Sequence, residues 1–80
     1  MEIKDKDIKK AQELILKVLK IEFNEDFINL SIENCNNWDS LNHMRLMAEI
    51  SDLFGYDFTG DEIIELTSVE KIIKFIKENA

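Results

Sequence analysis

Ser40 stands where a polar turn gives way to an apolar helical pattern, in the run "NNWDSLNHMRLMAEISDLFG" (36–55). A serine oxygen there can cap the first-turn N–H groups, as can the carboxylate of Asp39 beside it. Its hydroxyl can instead be an attachment point. The unpaired N–H groups and positive dipole end of a helix N-terminus favour a phosphodiester. The other reactive side chains offer less. Cys35, alone in the chain, has no placed His and no disulfide partner. His43 falls within the apolar arc of its helix and reads as a packed structural histidine, with nothing to complete a nucleophile–base pair. The stretch from Asp57 to Glu62 resembles a calcium loop only superficially. Its Gly60 comes too early and the twelfth position is Ser68 instead of Glu, so no metal site is expected.

The elements that must position Ser40 are helical throughout. Residues 7–20 place Ile8, Ala11, Leu14, Ile15, Val18 and Leu19 on one stripe, with Asp5 or Asp7 available as cap. Residues 21–39 have no sustained period and are rich in Asn. They read as a long loop pinned to the core by Phe23, Phe27, Leu30 and Ile32, and such a loop in a small domain is usually functional. A second helix runs from about Ser40 to Phe54 and stops at Gly55, which suits a left-handed residue after the helix. A short third helix fits 60–66. "TSVE" reads as a capping box, with Thr67 as cap and Glu70 returning its carboxylate, and opens a last helix to about Glu78. Val69, Ile72, Ile73 and Ile76 face inward. The expected fold is all-α: a four-helix bundle of three longer helices and one short one, with a long loop between the first two, forming a single domain over 1–80.

The second helix divides into three arcs. Leu46, Met47, Ile50, Leu53 and Phe54 make the core face. Asn42, Arg45, Glu49 and Asp52 make a solvated face. Leu41, Met44 and Ala48 form an apolar strip outside the main core arc and beside the serine. Other helices can cover such a strip, the expectation for Ala48. For Leu41 and Met44, one turn from Ser40, a charge-rimmed interaction site is the better reading. Met suits a surface that meets several partners.

Bulk properties narrow the function classes. A chain of 80 residues buries only about 60% of its unfolded surface. A thin core disfavours a self-sufficient enzyme and favours a binding or carrying module. The net charge of −7 disfavours nucleic acid and anionic membrane as partners. Residues 1–20 carry +2, residues 21–65 carry −10 and residues 66–80 carry +1. The acidic centre suits either a solubility surface or a face that docks basic partners. No apolar run approaches about 18 residues, and the N-terminus has no apolar signal region. A reduced, cytoplasmic, monomeric protein is expected.

The ordered set of features from Trp38 to Ile76, "WDSLNHMRLMAEISDLFGYDFTGDEIIELTSVEKIIKFI", resembles the acyl carrier proteins of the phosphopantetheine-attachment family. Asp-Ser-Leu at the helix start, the Phe-Gly helix end, the acidic third segment and the "LTSV" entry to the last helix all match. Residues 1–37 agree only in pattern. The resemblance implies that Ser40 receives 4′-phosphopantetheine from coenzyme A, by way of a separate Mg²⁺-dependent phosphopantetheinyl transferase. The thiol of that arm would carry acyl groups as thioesters, and the protein itself would not be an enzyme. Asp39 and Leu41 would flank the attachment residue. Met44, Glu49 and Asp52 fall where acyl-loading and acyl-transfer enzymes with basic docking surfaces would read the helix. Ala48 of the apolar strip and Arg45 of the solvated face complete the expected recognition surface.

Two departures bear on pathway. The fatty-acid members of the family have a second helix dense in Glu, which Arg45, Ser51 and Leu53 interrupt here. They also carry a small residue where this chain has Trp38. Both fit a stand-alone carrier of specialised metabolism, of polyketide, lipid or surface-glycan type. An aminoacyl or peptidyl carrier is an alternative, as is an unmodified helical interaction module using the Leu41–Met44–Ala48 strip. Arg45 pairs with Glu49 at i, i+4 or acts as a selectivity charge. Trp38 packs the loop onto the helix. Phe54 and Phe58 line an acyl pocket between helices or belong to plain core.

Overall fold

Helical periodicity and the absence of proline carry the chain through four helices in a computed structural model that describes residues 2–79, with side chains from residue 6 onward. Helix α1 spans Glu2–Leu19, α2 Ser40–Phe54, α3 Gly60–Glu65 and α4 Val69–Asn79. No strand is formed among the described residues; one isolated antiparallel bridge joins Ser31 to Ser68.

The start of α1 differs from expectation. The helix begins at Glu2, so Asp5 and Asp7 lie within it and neither is its cap. Residues 2–6 contain no Gly or Pro, so nothing stops the helical register from continuing upstream. Its inward stripe is as read: Ala11, Ile15, Val18 and Leu19 are buried, with Ile8 and Leu14 packed beside them. The helix closes on Lys20, whose φ of 57° is left-handed, while Ile21 N–H returns to Leu16 O at 3.1 Å.

The long loop is ordered by a single-turn 3₁₀ segment, Phe27–Asn29, which drives Phe27 into the core. Phe23 corrects the expectation that it pins the loop. It is 65% exposed and rests on the outside of Phe27, ring centroids 5.5 Å apart. Phe27 already fills the available core site. Leu30 and Ile32 pack on the core as expected. Two backbone bonds fasten the loop to the entry of α4: Ile32 N–H to Thr67 O at 2.9 Å and Val69 N–H to Leu30 O at 3.0 Å.

That fastening relocates the cap of α4. Thr67 is occupied in the bridge, and Ser68 takes the cap: its Oγ accepts Lys71 N–H at 3.1 Å and its carbonyl accepts Ile72 N–H at 3.0 Å. The Thr67–Glu70 capping box is therefore absent. The capping box is at α3, where Thr59 Oγ1 accepts Glu62 N–H at 3.1 Å and Glu62 accepts Thr59 N–H at 2.9 Å.

The core lies where α1 meets α2 and α4. Val69, Ile72, Ile73 and Ile76 of α4 are all buried against it, as read from the sequence. Helix α3 packs only lightly on the others and buries none of its residues. No described helix is long and apolar enough to cross a membrane.

Candidate functional site

The turn before α2 is held by several hydrogen bonds, and none of them uses the Ser40 hydroxyl. Asp39, extended at φ −97° and ψ −178°, is the N-cap, and its Oδ1 accepts Asn42 N–H at 2.8 Å. Its carbonyl accepts His43 N–H at 2.8 Å. Asn42 Nδ2 donates to Asn37 O at 2.7 Å, and Asn37 Nδ2 donates to Leu19 O at 2.9 Å, tying the turn to the end of α1. The ambiguity between Asp39 and Ser40 as cap is thereby resolved. Ser40 is the first helical residue, it is exposed, and its hydroxyl has no partner among the described residues.

Beneath it, Trp38 is 1% exposed and His43 6% exposed. The indole Nε1 donates to His43 Nδ1 at 3.0 Å, and His43 Nε2 meets Ile63 O of α3 at 2.7 Å. His43 is thus the packed histidine expected from its arc, and Trp38 packs the loop onto α2 as expected. Cys35 is a free, half-buried thiol.

The exposed face of α2 carries the residues singled out from sequence. Leu41 is 79% and Met44 53% exposed, and Arg45, Glu49 and Asp52 are exposed around them. Ala48 is exposed as well, against the expectation that a neighbouring helix covers it; α3 is too short and too lightly packed to reach over it. A shallow groove of about 210 Å³ instead runs between α2 and α3, lined by Met44, Met47, Ala48, Ser51, Phe58 and Ile63. Leu53 also departs from its expected core position, at 42% exposure. It lies at the edge of the core arc near the end of α2 and borders an open hollow of about 520 Å³ with Phe54, Tyr56, Phe58 and Phe75. Phe54 and Phe58 are half-buried, so they line hollows in addition to packing on the core.

The acidic stretch 57–62 is used for structure. Glu62 accepts Tyr56 O–H at 2.9 Å as well as Thr59 N–H. The Thr59 N–H holds the Glu62 carboxyl below its ordinary range against the opposing effect of desolvation, with the Tyr56 and Thr59 side chains adding to the lowering. The same bond to Glu62, with burial and charge repulsion adding to it, pushes the Tyr56 phenol up. No group of three or more His, Cys, Asp or Glu among the described residues could hold a metal ion.

A family model described as phosphopantetheine attachment site matches residues 9–76. The chain belongs to that family. No curated protein matches it significantly. As a member, it is a phosphopantetheine-carrying carrier protein: a non-catalytic domain to which 4′-phosphopantetheine is joined covalently. Such carriers are modified by phosphopantetheinyl transferases and interact with further enzymes.

The residues at the start of α2 fit the group. The Ser40 hydroxyl is open to solvent, and the N–H groups of Ser40 and Leu41 have no hydrogen-bond partner among the described residues. They are available to a phosphate oxygen. Asn37 and Asn42 were not singled out from sequence. Their role depends on the fold bringing the end of α1 to the loop, and an Asn-rich loop alone does not indicate it. The Thr59–Glu62 box did leave a signal, the T-x-x-E spacing of "TGDE".

Proposed function

We propose that the protein is an acyl carrier whose attachment residue is Ser40, the 80 residues acting as one carrier domain. The observation that carries this reading is the division of labour at the start of α2: Asp39 caps the helix, leaving the Ser40 hydroxyl exposed and unengaged. In the modification step, Ser40 Oγ forms a bond to the pantetheine phosphorus of coenzyme A. The pyrophosphate bond breaks, the nucleotide half leaves, and the hydroxyl proton passes to the transferase or solvent. Bound there, the arm supplies a thiol that carries the cargo as a thioester. The protein's own residues anchor the phosphate end and present the address. Asp39 holds the helix start, and the unpartnered N–H groups of Ser40 and Leu41 would be the donors for a phosphate oxygen.

Leu41, Met44 and Ala48 give partners an apolar footing, with Arg45, Glu49 and Asp52 as its charged rim. The −10 charge of residues 21–65 favours enzymes with basic docking surfaces and steers their encounter. Arg45, the only basic residue in that span, discriminates among them. An acyl cargo, a specialised pathway and a cytoplasmic, monomeric carrier complete the reading. The test is incubation with coenzyme A, Mg²⁺ and a broad-specificity phosphopantetheinyl transferase, followed by intact mass measurement. A gain of one phosphopantetheine that Ser40→Ala abolishes is expected. No gain, or a gain that survives Ser40→Ala, contradicts the assignment. The mass of the thioester isolated from cells separates an acyl from an aminoacyl cargo.

A further inference from the structure

Helix α3 has no fully buried residue, and Ile64 on it is 73% exposed. Its apolar anchoring is limited to half-buried Ile63 and to Leu66 at its C-cap, so a few hydrogen bonds matter as well. At its start stand the Thr59–Glu62 box and the Tyr56–Glu62 bond. At its other end, His43 Nε2 meets Ile63 O at 2.7 Å. That carbonyl lies in the last turn, where helices run out of their own N–H donors. The donor follows from the chemistry of the chain. An indole N–H only donates, so Trp38 at 3.0 Å obliges His43 Nδ1 to accept. A neutral imidazole then carries its proton on Nε2, aimed at Ile63 O. The chain runs from the residue two before Ser40, through the first turns of α2, into α3.

We propose that Trp38 and His43 are positioning residues for partner recognition. By fixing the tautomer that grips Ile63, they hold α3 beside the exposed face of α2, so that a modifying enzyme meets both helices as one surface. The proposal rests on the carrier reading and deepens it. A role confined to stability would lower the unfolding midpoint and leave recognition of the folded protein unchanged.

The full chain is assayed with coenzyme A, Mg²⁺ and a broad-specificity phosphopantetheinyl transferase over a range of carrier concentrations, below the unfolding midpoint of every variant. Trp38→Phe keeps an aromatic ring in the buried site but removes the N–H together with the rest of the indole, so its unfolding midpoint is measured alongside. His43→Phe removes both links, and His43→Gln keeps an amide donor for Ile63 O. The KM for the carrier rises about fivefold in His43→Phe, the worth of about one net hydrogen bond. It rises less in Trp38→Phe and returns toward wild type in His43→Gln, while kcat stays within about twofold. Amide exchange speeds up in α3, at Leu66 N–H above all, and not in α1 or α4. Nitrogen-15 spectra place the His43 proton on Nε2 in the wild type.

A proton on Nδ1, an unchanged KM in folded His43→Phe and Trp38→Phe, or a loss confined to kcat overturns the proposal alone. Should His43→Phe not fold, Trp38→Phe and His43→Gln carry the comparison. A wild type that gains no mass overturns the carrier reading and the recognition role with it.

Discussion

Helices α1, α2 and α4 are joined by extensive apolar burial, whereas α3 meets them through half-buried Ile63 and one directed hydrogen bond from His43, its own start being fixed by local bonds. On one side, Ile15, Leu46, Ile50, Val69 and Ile72 are essentially excluded from water. On the other, α3 buries nothing completely and depends on Thr59, Glu62, Tyr56 and His43. Burial of apolar area is non-directional and cumulative, so it yields a stable frame. Hydrogen bonds contribute less net stability but fix geometry. The proposed partner face spans both kinds of structure, with its serine and apolar strip on the frame and its far edge on the lightly held helix.

The largest effect expected from this contrast is at the frame. Ile72→Ala removes a side chain that is 1% exposed and lowers global stability by about 2–5 kcal/mol, read from the urea unfolding midpoint. Next comes the frame's own end at the serine. Asp39→Ala removes the α2 cap and costs about 1 kcal/mol, while Asp39→Asn retains most of it. Thr59→Ala removes one half of the α3 capping box. Its cost of about 1 kcal/mol appears as faster amide exchange within α3, with little change in the urea midpoint. A global loss equal to that of Ile72→Ala would erase the distinction between the two regions.

Two smaller effects sharpen it. Because the folded Glu62 carboxyl sits below its ordinary range, its contribution is present above that range and lost as pH falls through the folded value. The difference in α3 exchange protection between wild type and Glu62→Gln should therefore shrink from about pH 7 to about pH 3. A difference that grows on acidification would contradict the assigned hydrogen bonds. Arg45→Glu, on the exposed rim, should alter relative transfer rates among acyl-loading enzymes and their salt dependence, with stability within about 0.5 kcal/mol of wild type. Unchanged preference across the set would remove Arg45 as a discriminating charge.

The frame was legible in the sequence because its signals are periodic. The stripe of α1, the inward face of α4 and the apolar arc of α2 follow from spacing alone, and the same arc placed His43 in the interior. The failures fall where long-range packing decides. Phe23 and Phe27 have the same side chain in the same loop, yet the core has room for one, and the 3₁₀ turn selects Phe27. Leu53 lies within the apolar arc but borders an open hollow at the end of α2. "TGDE" and "TSVE" share the T-x-x-E spacing, and only the bridge from Ser31 to Ser68 shows why Thr67 is not free to cap. At the site, the sequence narrowed the choice to Asp39 or Ser40. The extended backbone of Asp39 decided it, because only that side chain reaches Asn42 N–H.

Whether Ser40 bears the prosthetic arm is tested most directly by tandem mass spectrometry of the transferase-treated protein after trypsin. Between Lys20 and Arg45 the chain has no other Lys or Arg, so one peptide, residues 21–45, contains Ser40. Ser31 is the only other hydroxyl residue in it. The account predicts one phosphopantetheine on this peptide, with fragment ions assigning it to Ser40. Its appearance on Ser31, or on any other peptide, would contradict the account.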